Sequence, residues 1–265
     1  IYAGSTRPVG RRVIEEGHRR GLAVTGHLGN YAAQDAVADG IDSLEHIWSV
    51  FNFIIPPEAA SQPDHRANLD LDNPKARALI AQLVEHKTVV DPTLVVFRNM
   101  IYLSDLEEFY DHPDNSHVPE RLRSWWTGYR LRSNLQPATQ DARRKEVQKY
   151  KDLTGILHRR GVPLMAGTDA PEPFVPPGYS MHQELGLLVE SGLSPAAAIQ
   201  AATINVARVL KQSDHLGSIE IGKLADLVIL DADPTTDIHN TRKIHRVIRG
   251  GLLCDPAIIL NSVSN

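Results

Sequence analysis

Short apolar runs alternate with amphipathic stretches along the first half of the chain. Ile1–Ala3 reads as the stub of a strand. Pro8 opens a helix that carries Val13, Ile14 and Gly17, and Gly21 ends it. The run LAVTG, residues 22–26, reads as a short buried strand. Residues 31–38 predict a short helix closed by Gly40, and residues 41–44 the next strand. Asn73 and Pro74 open a helix through Val84, whose Ala76, Leu79, Ile80 and Leu83 recur at helical spacing. Residues 88–90 and 93–97 form a further apolar run broken by Asp91-Pro92, and VPLMA, residues 162–166, is the last strand of the series.

Strand alternating with helix predicts a parallel α/β fold, and strands apolar throughout fit a sheet buried on both faces. On this pattern alone a TIM-like barrel and an open doubly wound sheet both remain. Residues 99–150 break the rhythm. They are rich in charge and aromatics, with Tyr110, Trp125, Trp126 and Tyr129, and read as an inserted, mostly helical loop between two strands. Such a loop either shapes a binding mouth or is a packing excursion. Further on, Ser194 and Pro195 cap and open a helix running from Ala196 to Leu210. Residues 224–230 and 243–248 then predict strands, with Gly222-Lys223 and Gly250-Gly251 as turns. The division expected is a partial barrel over 1–212 and a small β-module over 213–265.

Composition narrows the function classes. Of 265 residues, 42% are apolar and 23% charged, which is ordinary for a globular chain with a sizeable core. A net charge of −4 lacks the clustered basic excess of a nucleic-acid surface, and Arg143-Arg144-Lys145 reads as a solvated helix face. The single cysteine, Cys254, rules out an intrachain disulfide and has no evident partner for nucleophilic chemistry. No run reaches the roughly 18 apolar residues of a membrane span. No signal peptide is visible, but a targeting segment could have preceded Ile1, so the location stays open with a cytoplasmic one favoured.

Candidate chemistry sits at strand ends. LAVTG leads to His27, IDSLE to His46 and VPLMAGT to Asp169. In a parallel barrel all strand C-termini meet at one mouth, so these three can converge. Imidazole nitrogen and carboxylate oxygen are zinc ligands at about 2.0–2.2 Å. The plainer readings stand beside this one: a rim histidine hydrogen-bonded in place, or an aspartate serving a turn. Elsewhere His18, His65, His86, His112, His117, His158, His215, His239 and His245 lie in polar or helical surroundings and read as surface residues. His182, beginning a helix with Glu184 soon after Asp169, is a candidate for the substrate site, and Tyr2 is another. There is no Gly-x-Ser-x-Gly elbow, phosphate loop or Gly-x-Gly-x-x-Gly.

The segments Thr25-Gly26-His27, Ser43-Leu44-Glu45-His46 and Ala166-Gly167-Thr168-Asp169-Ala170-Pro171 resemble the fifth-, sixth- and eighth-strand motifs of the amidohydrolase superfamily. So do ESGLSPAAAIQAATINVARVL, LGSIEIGKLADLVILDADP and Val247-Ile248-Arg249-Gly250-Gly251, which resemble the C-terminal signature of its imidazolonepropionase-like and Xaa-Pro dipeptidase-like branch. The resemblance implies a distorted (β/α)8 barrel, here strands four to eight, with a small β-sandwich. It implies one or two divalent metals, zinc foremost, held by His27, His46 and Asp169. Asp169 would also be the general base, and the metal would lower the pKa of water toward ~7. The implied activity is cleavage of a carbon–nitrogen bond, amide or peptide-like, in a small molecule.

The chain departs from the pattern in lacking the strand-one His-x-His and the strand-four lysine. Its opening Ile-Tyr-Ala-Gly resembles the residues just after that lysine, so the expectation is a fragment, weakly active or inactive by itself. A deaminase or lactonase on the same scaffold, and a non-catalytic scaffold that has lost its site, are the alternatives. A homo-oligomer, or a separate chain supplying the first barrel strands, would be the partner.

Overall fold

The computed structural model describes residues 1–101, 118–133, 138–255 and 258. Tyr110, His112 and His117 lie outside the described residues.

Pro8 falls in the first turn of α1 (Arg7–Arg19), where a missing N–H breaks no helical bond. Ile14 on α1 faces the core, and Gly17 lets Val24 close against the helix. Next come β1 (Thr25–Gly26), α2 (Ala33–Ala38), β2 (Ser43–Glu45), α3 (Trp48–Phe51) and α4 (Pro57–Ala60). The Asn73 side chain accepts from the Ala76 N–H at 3.0 Å and so caps α5 (Pro74–His86), as its position before Pro74 predicts. β3 (Val89–Asp91) and α6 (Leu94–Ile101) follow. Two long helices, α7 (Glu120–Ser133) and α8 (Ala138–Arg159), fill much of the predicted insertion, and α8 continues past it. Then come α9 (Tyr179–Glu190), α10 (Pro195–Ala202) and α11 (Ile204–Val209).

β1, β2 and β3 form one parallel sheet in that order, with Gly26 opposite Leu44, Leu44 opposite Val90 and Glu45 opposite Asp91. Leu44 and Val90 are fully buried under α-helical layers that contribute Val37, Leu79, Leu83, Leu153 and Leu157. Three sequence expectations need correction, and the apolar run at 93–97 receives its element. Residues 162–166 are not a strand but one parallel bridge, Val90 to Leu164. Pro163 has no N–H to give the ladder, and Ala166 turns its own N–H to the Ala201 carbonyl at 3.1 Å. Residues 1–3 form no strand either. Ile1 bonds the β1 edge through its amine to Thr25 O and its carbonyl to His27 N–H, and a turn from Tyr2 to Ser5 then leads the backbone away. Residues 94–97 belong to helix α6, because Thr93 turns the chain at φ 44° immediately after Pro92. The helix expected from Ala196 to Leu210 divides at Thr203, whose hydroxyl bonds back to the Ile199 carbonyl at 2.7 Å.

Among the described residues the parallel sheet does not close into a barrel. The tail forms a separate antiparallel sheet of β4 (Leu227–Leu230), β5 (Ile244–Arg249) and β6 (Leu252–Cys254). The sequence predicted a sandwich; the described residues make this one sheet, and Val228, Leu252 and Leu253 on it are exposed. No described helix is long and apolar enough to cross a membrane.

Gly155, inside α8, lies against the Ser191 carbonyl, and a Cβ added there would overlap that oxygen. Backbone cannot swing aside as a side-chain tip does. Gly155→Ala is therefore expected to lower stability by about 1–3 kcal/mol despite the better helix propensity of alanine, read as a fall in the urea midpoint without a change in slope.

Candidate functional site

Parallel pairing in register releases β1, β2 and β3 on the same side, and the Leu164 bridge adds the loop of Gly167, Thr168 and Asp169 there. The result is a cleft of about 520 Å³. His27, His46, Asp169 and Tyr2 all line it. The His27 and His46 rings meet edge to face with centroids 4.7 Å apart, and the Tyr2 ring centroid lies 4.9 Å from that of His27. His46 Nε2 stands 3.8 Å from Asp169 Oδ2. His182 is not among the lining residues. Its Nδ1 lies 3.0 Å from the Thr241 hydroxyl, so the structure turns this ring to the C-terminal module rather than to the cleft.

The sequence reading missed several lining residues. Glu45 and Asp91 are carboxylates at the ends of β2 and β3, and Glu172 follows the Asp169 loop. Asp91 obeys the same strand-end rule that selects His27; reading Asp91-Pro92 only as a break concealed it. Trp48, Phe97 and Met100 provide an apolar wall. Trp48 comes from α3 and Phe97 and Met100 from α6, helices that follow β2 and β3 directly. From the insertion, Trp126 is buried, and its indole donates to the Pro171 carbonyl at 3.1 Å, behind the Asp169 loop.

Backbone strain concentrates at the cleft. His46, Thr93 and Asp169 have φ of 64°, 44° and 57°, in the left-handed region. Aspartate and histidine enter it more readily than most residues, whereas β-branched threonine is a real outlier. Such a conformation costs about 1–3 kcal/mol and persists only where surrounding bonds enforce it. Here the Thr93 hydroxyl lies 2.7 Å from His46 Nδ1, and Asp91 Oδ1 accepts from Gly167 N–H at 2.8 Å and from Thr93 N–H at 3.3 Å. A side chain at Gly167 would displace Asp91, because a Cβ there would collide with the Asp91 carboxyl.

Burial sets the ionisation. It pushes His46 down to about 4, with His27 nearby adding to the effect, so the ring is neutral at pH 7. Burial raises the carboxyls of Asp169 and Glu172, and it raises Asp91 well above the usual range, reinforced by the negative charges of Glu45 and Glu184. A neutral imidazole facing a carboxylate suits a divalent cation chemically. Geometrically the set is incomplete: among the described residues no three His, Cys, Asp or Glu side chains are grouped closely enough to hold a metal ion. What fits is a partial donor set, His46 and Asp169 with His27 beside them.

The lowered His46 pKa has a stability consequence. The unfolded chain takes up this proton near pH 6.5 and the folded chain only near 4. The stability that the neutral ring supports is full above pH 6.5 and drains as pH falls toward 4. The stability of the wild type relative to His46→Asn is thus expected to rise between pH 4 and 6.5 and to level off above 7, in urea titrations at matched ionic strength.

The amidohydrolase family model matches residues 5–254. An imidazolonepropionase of Aromatoleum aromaticum is 40% identical over 83 residues, covering 31% of this chain and 20% of that protein. An adenine deaminase of Clostridium botulinum (strain Loch Maree) is 32% identical over 121 residues, covering 45% of this chain and 19% of that protein. A crystal structure of a Xaa-Pro dipeptidase with bound methionine in its active site superposes with a TM-score of 0.62 at 24% identity, over 94% of this chain and 49% of that one. The chain thus spans about half the length of the solved structure it matches, and its α/β fold is similar to part of an amidohydrolase barrel. The match from residue 5 to residue 254 takes in both the cleft and the C-terminal sheet, and the chain belongs to the amidohydrolase family.

Proposed function

We propose that this chain carries the strand-end part of a hydrolase site that cleaves a carbon–nitrogen bond, amide or peptide-like, in a small molecule. The observation that carries the reading is the approach of His46 Nε2 to Asp169 Oδ2, 3.8 Å apart, from residues far separated in sequence. The names of the relatives, a deaminase and a dipeptidase among them, agree with that bond class. The family is typically metal-dependent. In this chain His27, His46 and Asp169 are the residues that would hold a divalent cation, zinc by the chemistry of the donors. Such an ion, when bound, acidifies water and polarises a carbonyl.

The chain's own residues then have defined parts. Asp169 takes the proton of the attacking water and returns it to the leaving nitrogen, a role that a carboxyl raised by burial performs near neutral pH. His46, kept neutral, offers a lone pair rather than a positive charge. Trp48, Phe97 and Met100 give an apolar wall against which the body of the substrate packs, while Tyr2, largely exposed, stands at the rim.

The incomplete donor set favours a second reading, in which the chain binds a metal weakly and turns over nothing without further strands supplied by another chain or a second copy. Zinc content and hydrolysis of a panel of dipeptides, aryl amides, amidines and lactones by the zinc-loaded chain separate the two. On the first reading Asp169→Asn lowers amide hydrolysis by roughly 10²–10⁴-fold, and a chelator abolishes it reversibly. Zinc-loaded protein that hydrolyses nothing above buffer would leave the second reading. Hydrolysis unaffected by Asp169→Asn would remove the first.

A further inference from the structure

Three consecutive backbone N–H groups at the entry to α6 are taken by two buried carboxyls. The Thr93 N–H meets Asp91 Oδ1 at 3.3 Å, the Leu94 N–H donates to Glu184 Oε1 at 3.0 Å, and the Val95 N–H donates to Glu184 Oε2 at 2.7 Å. Glu184 projects from α9, is fully buried, and does not line the cleft. Both of its oxygens are thus spent on backbone of another element. A buried carboxyl is expensive to desolvate, and a helix entry can be capped by a serine or asparagine in the same loop. A glutamate brought from α9 for this purpose indicates that the place of Thr93 matters beyond the capping of α6.

What Thr93 does is visible. Its φ of 44° turns its hydroxyl back to 2.7 Å from His46 Nδ1. An imidazole whose Nδ1–H is donated has its Nε2 lone pair free, and it is Nε2 that faces Asp169. We propose that Glu184 is a positioning residue for the cleft: by gripping the amides of Leu94 and Val95 it fixes Thr93, whose hydroxyl accepts from His46 Nδ1–H and so leaves Nε2 bare toward Asp169. The chain of contacts runs from α9 by two hydrogen bonds to the entry of α6, along the backbone to Thr93, and by one hydrogen bond to His46 after β2. This deepens the hydrolase reading, because a bare Nε2 is what a ligating imidazole requires, yet its test uses no turnover.

The experiment is nitrogen NMR of the full chain labelled in histidine rings, chelator-treated, at pH 7.5, in the wild type, Thr93→Val, Thr93→Ser and Glu184→Gln. The wild type is expected to hold His46 in the Nδ1–H form. Thr93→Ser keeps that form, and Thr93→Val loses the preference. Glu184→Gln presents an amide N–H₂ to one of the two backbone donors. It is expected to shift His46 toward the Thr93→Val pattern and to speed exchange of the Leu94 and Val95 amides at least tenfold, while circular dichroism shows a folded chain. If Glu184→Gln fails to fold, Glu184→Asp, whose shorter arm reaches only one donor, is read the same way. A folded Glu184 variant with the wild-type His46 pattern and only a lower unfolding midpoint would make Glu184 merely structural and overturn the proposal. So would a Thr93→Val chain with the tautomer unchanged. Chains that show the expected shifts yet hydrolyse nothing would count against the hydrolase reading alone.

Discussion

Parallel pairing is the constraint on which the site depends. Once Gly26, Leu44 and Val90 lie side by side in register, the chain must leave all three strands on the same side of the sheet. The groups that follow, His27, Glu45 with His46 after it, and Asp91, are delivered together whatever their separation in sequence. The pairing is short, two or three residues per strand, and it survives because β2 and β3 are largely buried beneath helices, while β1 at the edge buries Gly26 and leaves Thr25 exposed. Hydrophobic burial of Leu44, Val90 and their neighbours thus locates polar groups that take no part in that burial.

Delivery to one side does not by itself set orientation. The left-handed residues at the cleft show where orientation is enforced against local preference. Thr93 in particular sits in the left-handed region, and two buried carboxyls hold the three amides around it. Glu184 is pushed up to about 7 by its burial, with the two backbone bonds opposing the rise. The amides of Leu94 and Val95, with the positive charge of Arg98, hold that rise in check. Electrostatics and backbone geometry here are one arrangement seen from two sides.

The parts legible in the sequence share a local cause. Helices α1 and α5 carry their own punctuation in Pro8, Asn73 and Pro74, and apolar spacing marks their buried faces. His27, His46 and Asp169 announce themselves by standing after apolar runs. What escaped depends on contacts between distant segments. Nothing near residue 93 shows that Thr93 starts a helix rather than continuing a strand, since the carboxyl receiving the next two amides comes from α9. Nothing near residue 182 shows that His182 meets Thr241. Residues 162–166 have strand composition, but Pro163 and the turn of Ala166 toward Ala201 limit them to one bridge. Asp91 stands at a strand end as His27 does, but the proline after it marks the same position as a break.

Gly167 shows how narrow such a site is in mutational terms. The atom that would collide with Asp91 is the Cβ, which all nineteen other encoded amino acids possess. Every missense change at this codon, conservative or radical, therefore pushes against the same carboxyl. The carboxyl can answer only by swinging away, which gives up its bonds to the Gly167 and Thr93 amides, so a side chain at residue 167 is felt in the cleft through Asp91.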